Sequence, residues 1–314
     1  MKSTETRSRP SGSRKKSLRD RLRPETDVPT KHGYFRSFDG TKLFYSVEGE
    51  GKPLVFCYGL VCSSLHWTYQ IEHFRKNYRT IWMDYRGHQN SDVPEDLGSL
   101  NLESLAKDLK LLLDELKVAD AVLLGHSMGV NVVLEFARLF PERVAGMVLS
   151  NGTVNRPLET LLNSNALVPG FRALEFLRDK SPKLLNKIWT LQKGNPLVHR
   201  TIGMLGFNPH LTAKEDVALY VDQIADMDPR VFLSLIRNYD RYDGSTWLHT
   251  IKAPTRILAG EDDYIIPLAQ QELLHQLIAG SELEIIRHGS HCPQMDLPDL
   301  VNSKIEEFLR RISY

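Results

Sequence analysis

Ala121-Val122-Leu123-Leu124-Gly125-His126-Ser127-Met128-Gly129-Val130 is the stretch that decides the fold. Four apolar residues run into a Gly-x-Ser-x-Gly pentapeptide. The series Val132, Val133, Phe136, Ala137 and Phe140 follows, and Pro141 closes it. A short continuous apolar run suits a strand buried on both faces of a parallel sheet. The three- and four-residue spacing after it predicts a helix. Ser127 then sits on a strand-to-helix turn too tight for large neighbours. Glycine on either side removes the side chains that would collide there. The helix start aims free N–H groups and the positive end of its dipole at the same point. The pentapeptide alone means little; the strand before it and the helix after it make Ser127 a candidate nucleophile.

Working outward, the same alternation recurs on both sides. Tyr34 to Phe38 and Leu43 to Val47 read as two strands joined by a turn at Asp39-Gly40. Leu54 to Cys57, Thr80 to Met83 and Val144 to Leu149 are further apolar strand runs, and Leu102, Leu105, Leu109, Leu112, Leu113 and Leu116 trace a helix face. The pattern resumes with a strand at Thr255 to Ala259, a helix near Leu268–Ile278, a strand at Leu283–Ile286 and a helix near Asp299–Arg311. Strands alternating with helices predict an α/β fold with a doubly wound, mostly parallel sheet. Between the two blocks no strand run is found. Leu158, Leu161 and Leu162, then Phe171, Leu174 and Leu177, then Leu184, Leu185 and Ile188 suggest helices separated by Pro169 and Pro182. The expected organisation is a basic tail over residues 1–30, a core from 31–152 and 251–314, and a helical cap over 153–250.

Composition excludes several function classes. The 314 residues are 41% hydrophobic and 25% charged, as in an ordinary globular chain, and no uninterrupted apolar run reaches membrane-spanning length. Net charge is +1, but residues 1–30 hold nine Lys/Arg against four Asp/Glu, so the body carries −4. A nucleic-acid partner for the body is therefore not expected; the tail is open to weak, salt-sensitive contact with an acidic membrane surface. The tail has no apolar stretch of the secretory-signal kind, so a cytoplasmic location is expected. Three cysteines, Cys57, Cys62 and Cys292, form neither a disulfide framework nor a metal-binding spacing, and no metal is expected.

With Gly125 to Gly129 in this setting, the chain over residues 32–312 resembles the α/β-hydrolase superfamily, in its serine-nucleophile, cap-containing, esterase- or lipase-like form. The resemblance implies a chain order of nucleophile, acid and histidine. It points to Asp263 as the acid, in Gly260-Glu261-Asp262-Asp263-Tyr264-Ile265-Ile266-Pro267, with Asp262 as the rival. It points to His291 as the base, in Arg287-His288-Gly289-Ser290-His291, with His288 as the alternative. His126 would pack beneath the serine. The oxyanion donors would be the backbone N–H groups of Met128 and of Leu60, in Cys57-Tyr58-Gly59-Leu60. Tyr58 replaces the histidine usual in that loop, which leaves open what supports it. Asp84 and Arg86, in a loop resembling the family's Asp-x-Arg-Gly-x-Gly-x-Ser with Gln89 for the second glycine, are expected to be structural.

The resemblance implies hydrolysis of a carboxylic ester, or a related small apolar acyl substrate, through an acyl-enzyme and without a cofactor. Tyr58, Trp189, Met204, Phe207, Tyr239 and Trp247 are the expected substrate-contacting residues. The alternatives on the same fold are carbon–carbon hydrolysis, perhydrolysis, acyl transfer, or small-molecule sensing without turnover.

Overall fold

The structure is a computed structural model and describes residues 28–160 and 167–314. Most of the predicted basic tail, through residue 27, lies outside the described residues, as do Leu161 and Leu162.

Eight strands form one sheet: β1 Thr30–Arg36, β2 Lys42–Glu48, β3 Pro53–Cys57, β4 Arg79–Met83, β5 Ala121–His126, β6 Val144–Ser150, β7 Thr255–Gly260 and β8 Glu282–Ile286. Their spatial order is β1-β2-β4-β3-β5-β6-β7-β8. β2 runs antiparallel to both β1 and β4; every pairing from β4 through β8 is parallel. The apolar runs occupy the middle of the sheet, where both faces are covered. All six residues of β5 and all six of β7 are buried. The first strand begins and ends earlier than the pattern predicts. Ser37 opens the turn, with its N–H on the Thr41 carbonyl, and Phe38 is exposed.

The core helices between strands are α1 Thr68–Phe74, α2 Leu102–Glu115, α3 Met128–Leu139 and α10 Leu268–Leu277, and α11 Pro293–Asp296 and α12 Pro298–Arg311 follow β8. α2 starts where Asn101 caps the Ser104 N–H with its side-chain oxygen, and it buries the predicted leucine face. α1 is absent from the sequence reading, because seven residues are too few to display a period. Between β6 and β7 lie α4 Pro157–Thr160, α5 Leu167–Lys180, α6 Pro182–Thr190, α7 Pro196–Gly206, α8 Lys214–Asp226 and α9 Pro229–Tyr239. Pro182 opens α6 as expected. Pro169 does not separate helices: it lies in the first turn of α5, where its missing N–H costs no intrahelical bond.

The chain steps from β3 outward to β4, then crosses back to add β5 on the other side of β3. At such a reversal the loops leaving neighbouring strands part and open a crevice at their carboxyl ends. The loops after β3, β5, β6, β7 and β8 all leave from that end, and every expected triad and oxyanion residue lies on one of them.

Candidate active site

Ser127 joins β5 to α3 with φ 56° and ψ −126°, a conformation that a side chain adopts only when its surroundings enforce it. The enforcement is visible at the flanking glycines. A Cβ on Gly129 would stand 2.2 Å from the Cys57 carbonyl oxygen, and one on Gly125 would stand 2.7 Å from the Gly129 oxygen. α3 is thus pressed against the end of β3. Met128 is the first residue of that helix, so its N–H has no intrahelical acceptor. Gly59, in the loop after β3, lies against the serine: a Cβ there would be 3.3 Å from Ser127 Oγ.

His291 and Asp263 meet at the carboxyl ends of the strands, with Nδ1 2.9 Å from Oδ2 and both side chains almost fully buried. The other carboxylate oxygen of Asp263 accepts the Ile265 and Ile266 N–H groups at 2.8 and 2.9 Å. With Oδ1 so engaged, Oδ2 is left for the imidazole. The carboxylate holds the proton on Nδ1 and leaves Nε2 as the basic nitrogen. Asp262 is half-exposed and His288 exposed, so neither alternative shares this arrangement. Glu261, Asp262 and His288 do bring their ligating atoms within 4.8 Å of one another at the surface beside it.

Two braces hold the histidine loop, and neither was anticipated. Asn151, fully buried at φ 52°, donates from Nδ2 to the Ser290 and His291 carbonyls at 2.9 Å each. Its Oδ1 accepts the Gly260 N–H at 2.9 Å. One amide therefore ties the ends of β6 and β7 to the loop after β8. Asp296, also fully buried, accepts the Ser290 N–H and hydroxyl on Oδ2, and the Asn208 N–H and Thr212 hydroxyl on Oδ1. It links the same loop to the helical insertion.

His126 packs beneath the serine as expected, and it also has a polar task. Its Nε2 lies 2.8 Å from the His291 carbonyl oxygen. Burial, with His66 and His291 close by, holds its imidazole well below the ordinary range, so it stays neutral and donates this bond. His66 is the second histidine of the cluster. Its ring is edge-on to His126 with centroids 4.8 Å apart and stacks on Tyr220 of α8 at 4.7 Å. Burial pushes its pKa down to about 3, and neither ring nitrogen has a hydrogen-bond partner among the described residues. Ser63-Ser64-Leu65-His66-Trp67 forms a single 3-10 turn, so no periodicity marked it out. Cys62 and Cys292 are buried here too, and burial pushes the Cys62 thiol up to about 12. Both are protonated thiols rather than nucleophiles.

Tyr58 is buried away from solvent. Its hydroxyl accepts the Tyr85 N–H at 2.9 Å, and the Tyr85 hydroxyl donates to the Tyr58 carbonyl at 3.1 Å. The side chain holds the loop from below instead of facing outward to a substrate, which answers what supports the loop without a histidine. Arg86 is fully buried between Asp108 and Asp39, a structural clamp. The insertion residues are scattered. Trp189 packs on Phe232 inside the insertion. Tyr239 donates to Asn131 Oδ1 on α3 at 2.7 Å. Trp247 lies near Arg138 at the far end of α3, and Met204 is exposed. Phe207 alone reaches the cluster, edge-on to Tyr220 at 5.2 Å. Tyr220 is the aromatic residue that sequence reasoning missed.

Residues 52–298 match the α/β hydrolase fold family. Among curated relatives, epoxide hydrolase 4 of Mus musculus is 27% identical, over 89% of this chain and 79% of its own length. The putative carbamate hydrolase RutD of Azorhizobium caulinodans is 26% identical, over 91% of this chain and 99% of its own. Among solved structures, an esterase from Exiguobacterium antarcticum superposes with a TM-score of 0.74 at 21% identity, covering 88% of this chain and 98% of its own.

Proposed function

The chain belongs to the α/β hydrolase fold family, and from that premise we propose that it is a serine hydrolase acting on a carboxylic ester. The observation that carries this reading is the buried His291–Asp263 pair bonded at 2.9 Å, with Ser127 held at positive φ next to His126, whose ring bonds the His291 carbonyl. Ser127 Oγ attacks the acyl carbon as His291 Nε2 takes its proton, and Asp263 steadies the imidazolium. The carbonyl oxygen becomes an oxyanion, held by the N–H groups of Met128 and Leu60. His291 returns the proton to the departing alcohol. Water, activated by the same nitrogen, then releases the acid and frees Ser127. Relatives named as epoxide hydrolases do not redirect the reading, because that chemistry calls for an aspartate nucleophile and position 127 is serine.

The test is hydrolysis of a chain-length series of p-nitrophenyl esters by the wild type and by Ser127→Ala. Turnover that falls by roughly a thousandfold or more in the variant is expected, with the fold unchanged by circular dichroism. Equal rates in the two proteins would overturn the assignment of Ser127. A folded wild type without turnover on any ester would move the reading to carbon–carbon substrates or ligand binding.

A further inference from the structure

Helix α6, Pro182–Thr190, has an apolar sector wider than the surface that covers it. Leu185 and Trp189, four residues apart, are buried against the rest of the insertion. Leu184 and Ile188, also four apart, with Leu191 one turn further on, lie on the adjoining side. These three are exposed, at 45%, 41% and 64%. Large aliphatic residues at helical spacing are normally the buried stripe of a helix, and here half of the stripe faces outward. Phe176 on the neighbouring α5 and Leu197 at the start of α7 are exposed as well, at 63% and 72%.

Along α6 and its exit the charge is of one sign, while Glu175 and Asp179 on α5 lie against Arg178. From Ser181 to Arg200 there are four Lys/Arg and no Asp or Glu. Lys193 is paired with Asp226. Lys183 and Lys187, exposed on the flank of the apolar stripe, have no ion pair among the described residues. Exposed aliphatic and aromatic tips beside unpaired lysines on long stems match an interface with acyl chains below and anionic headgroups above. The body as a whole carries −4, so this local excess of positive charge is not a general property of the surface.

We propose that the outer face of α6, with Leu184, Ile188 and Leu191 as its apolar contact and Lys183 and Lys187 as its charges, docks the protein on an anionic lipid surface. The proposal concerns binding alone and does not depend on the ester reading. Each apolar side chain adds buried area and each lysine adds headgroup attraction, and only the second is screened by salt.

The experiment is flotation of the full chain with phosphatidylcholine vesicles, with and without 30% phosphatidylglycerol. Three full-chain variants are run beside it: Leu184→Ser/Ile188→Ser/Leu191→Ser, Lys183→Glu/Lys187→Glu, and Arg14→Gln/Lys15→Gln/Lys16→Gln. Binding to the anionic vesicles that weakens in high salt, and at least tenfold in each of the first two variants, is expected. Binding lost only in the third would assign the contact to the basic N-terminal segment and overturn the proposal. Absence of binding by the wild type would overturn it as well. A sedimenting dimer that the triple-serine variant breaks would then assign the face to a second copy of the chain. All the changed side chains of α6 and its end are exposed, so the variants should keep the wild-type melting temperature, which verifies that lost binding is not lost folding.

Discussion

At the residue scale, much of the site rests on one amide. Asn151 takes a positive φ, which asparagine tolerates better than most residues, and its side chain meets three backbone groups, one at the end of β7 and two in the loop after β8. The family resemblance directs attention to this position as an alternative place for a catalytic acid, and the chain has no carboxylate there. What the chain has instead is a donor of two hydrogen bonds, which a carboxylate cannot be. Asn151→Asp keeps the backbone conformation and the bond to Gly260 but sets a charge against the Ser290 and His291 carbonyls. It should cost about 2–4 kcal/mol of stability in denaturant unfolding. It should also lower kcat by roughly tenfold or more while moving KM less, because the proposed base, His291, is displaced. An unchanged kcat would show that the histidine loop holds its place without this brace.

At the element scale, the strand–helix junction around Ser127 has no slack. The start of α3 lies so near the end of β3 that only glycine fits at position 129. Gly170, in the first turns of α5, is the opposite case, with open space where a Cβ would go. Gly129→Ala should therefore destabilise by at least about 3 kcal/mol, through overpacking against the backbone. Gly170→Ala should stabilise by about 0.5–1 kcal/mol, through helix propensity and a less flexible unfolded chain. Thermal melts of the two single variants check both signs. These elements were legible in advance because each strand is a compact apolar run and each longer core helix shows its period. α1 escaped notice for want of length. Pro169 misled because a proline in the first turn of a helix looks, in sequence, like a proline between helices.

At the scale of the whole molecule, buried histidines set the acid limit of stability. Burial pushes the pKa of His88 down to about 4 and that of His66 to about 3, and holds that of His126 well below its usual value. Unfolded, each binds a proton near 6.5. Between pH 6.5 and about 4 the unfolded chain therefore holds more protons than the folded one, and stability falls as pH falls. Asp84 acts the other way. Burial raises its pKa to about 6, so the unfolded chain gives up that proton first and stability declines as pH rises from about 4 to about 6. Burial raises the pKa of Asp108 as well, and three histidines outweigh these two aspartates, so the melting temperature should drop on acidification from about pH 6.5 to about 4. His88→Phe should flatten that slope by up to one proton. A variant slope as steep as the wild type's would mean that His88 is not among the groups responsible.

The sequence by itself determined the alternation of strands and helices, the helical segment between β6 and β7, and the turn on which Ser127 stands. Those features follow from local period and from where glycine is required, and both are written in adjacent residues. The family resemblance already points to Asp263 over Asp262 and to His291 over His288; the structure adds that Asp263 and His291 are buried and bonded to each other, while Asp262 is half-exposed and His288 exposed. Asn151, Asp296, His66 and Tyr220 join the site through partners such as Gly260, Asn208 and His126, which lie 60 or more residues away in the chain. Only the tertiary structure decided those, since a hydrogen bond or ring contact between distant segments leaves no period in either one. The same holds for α6: its sequence shows an apolar sector, but which half of that sector is covered depends on what packs against it.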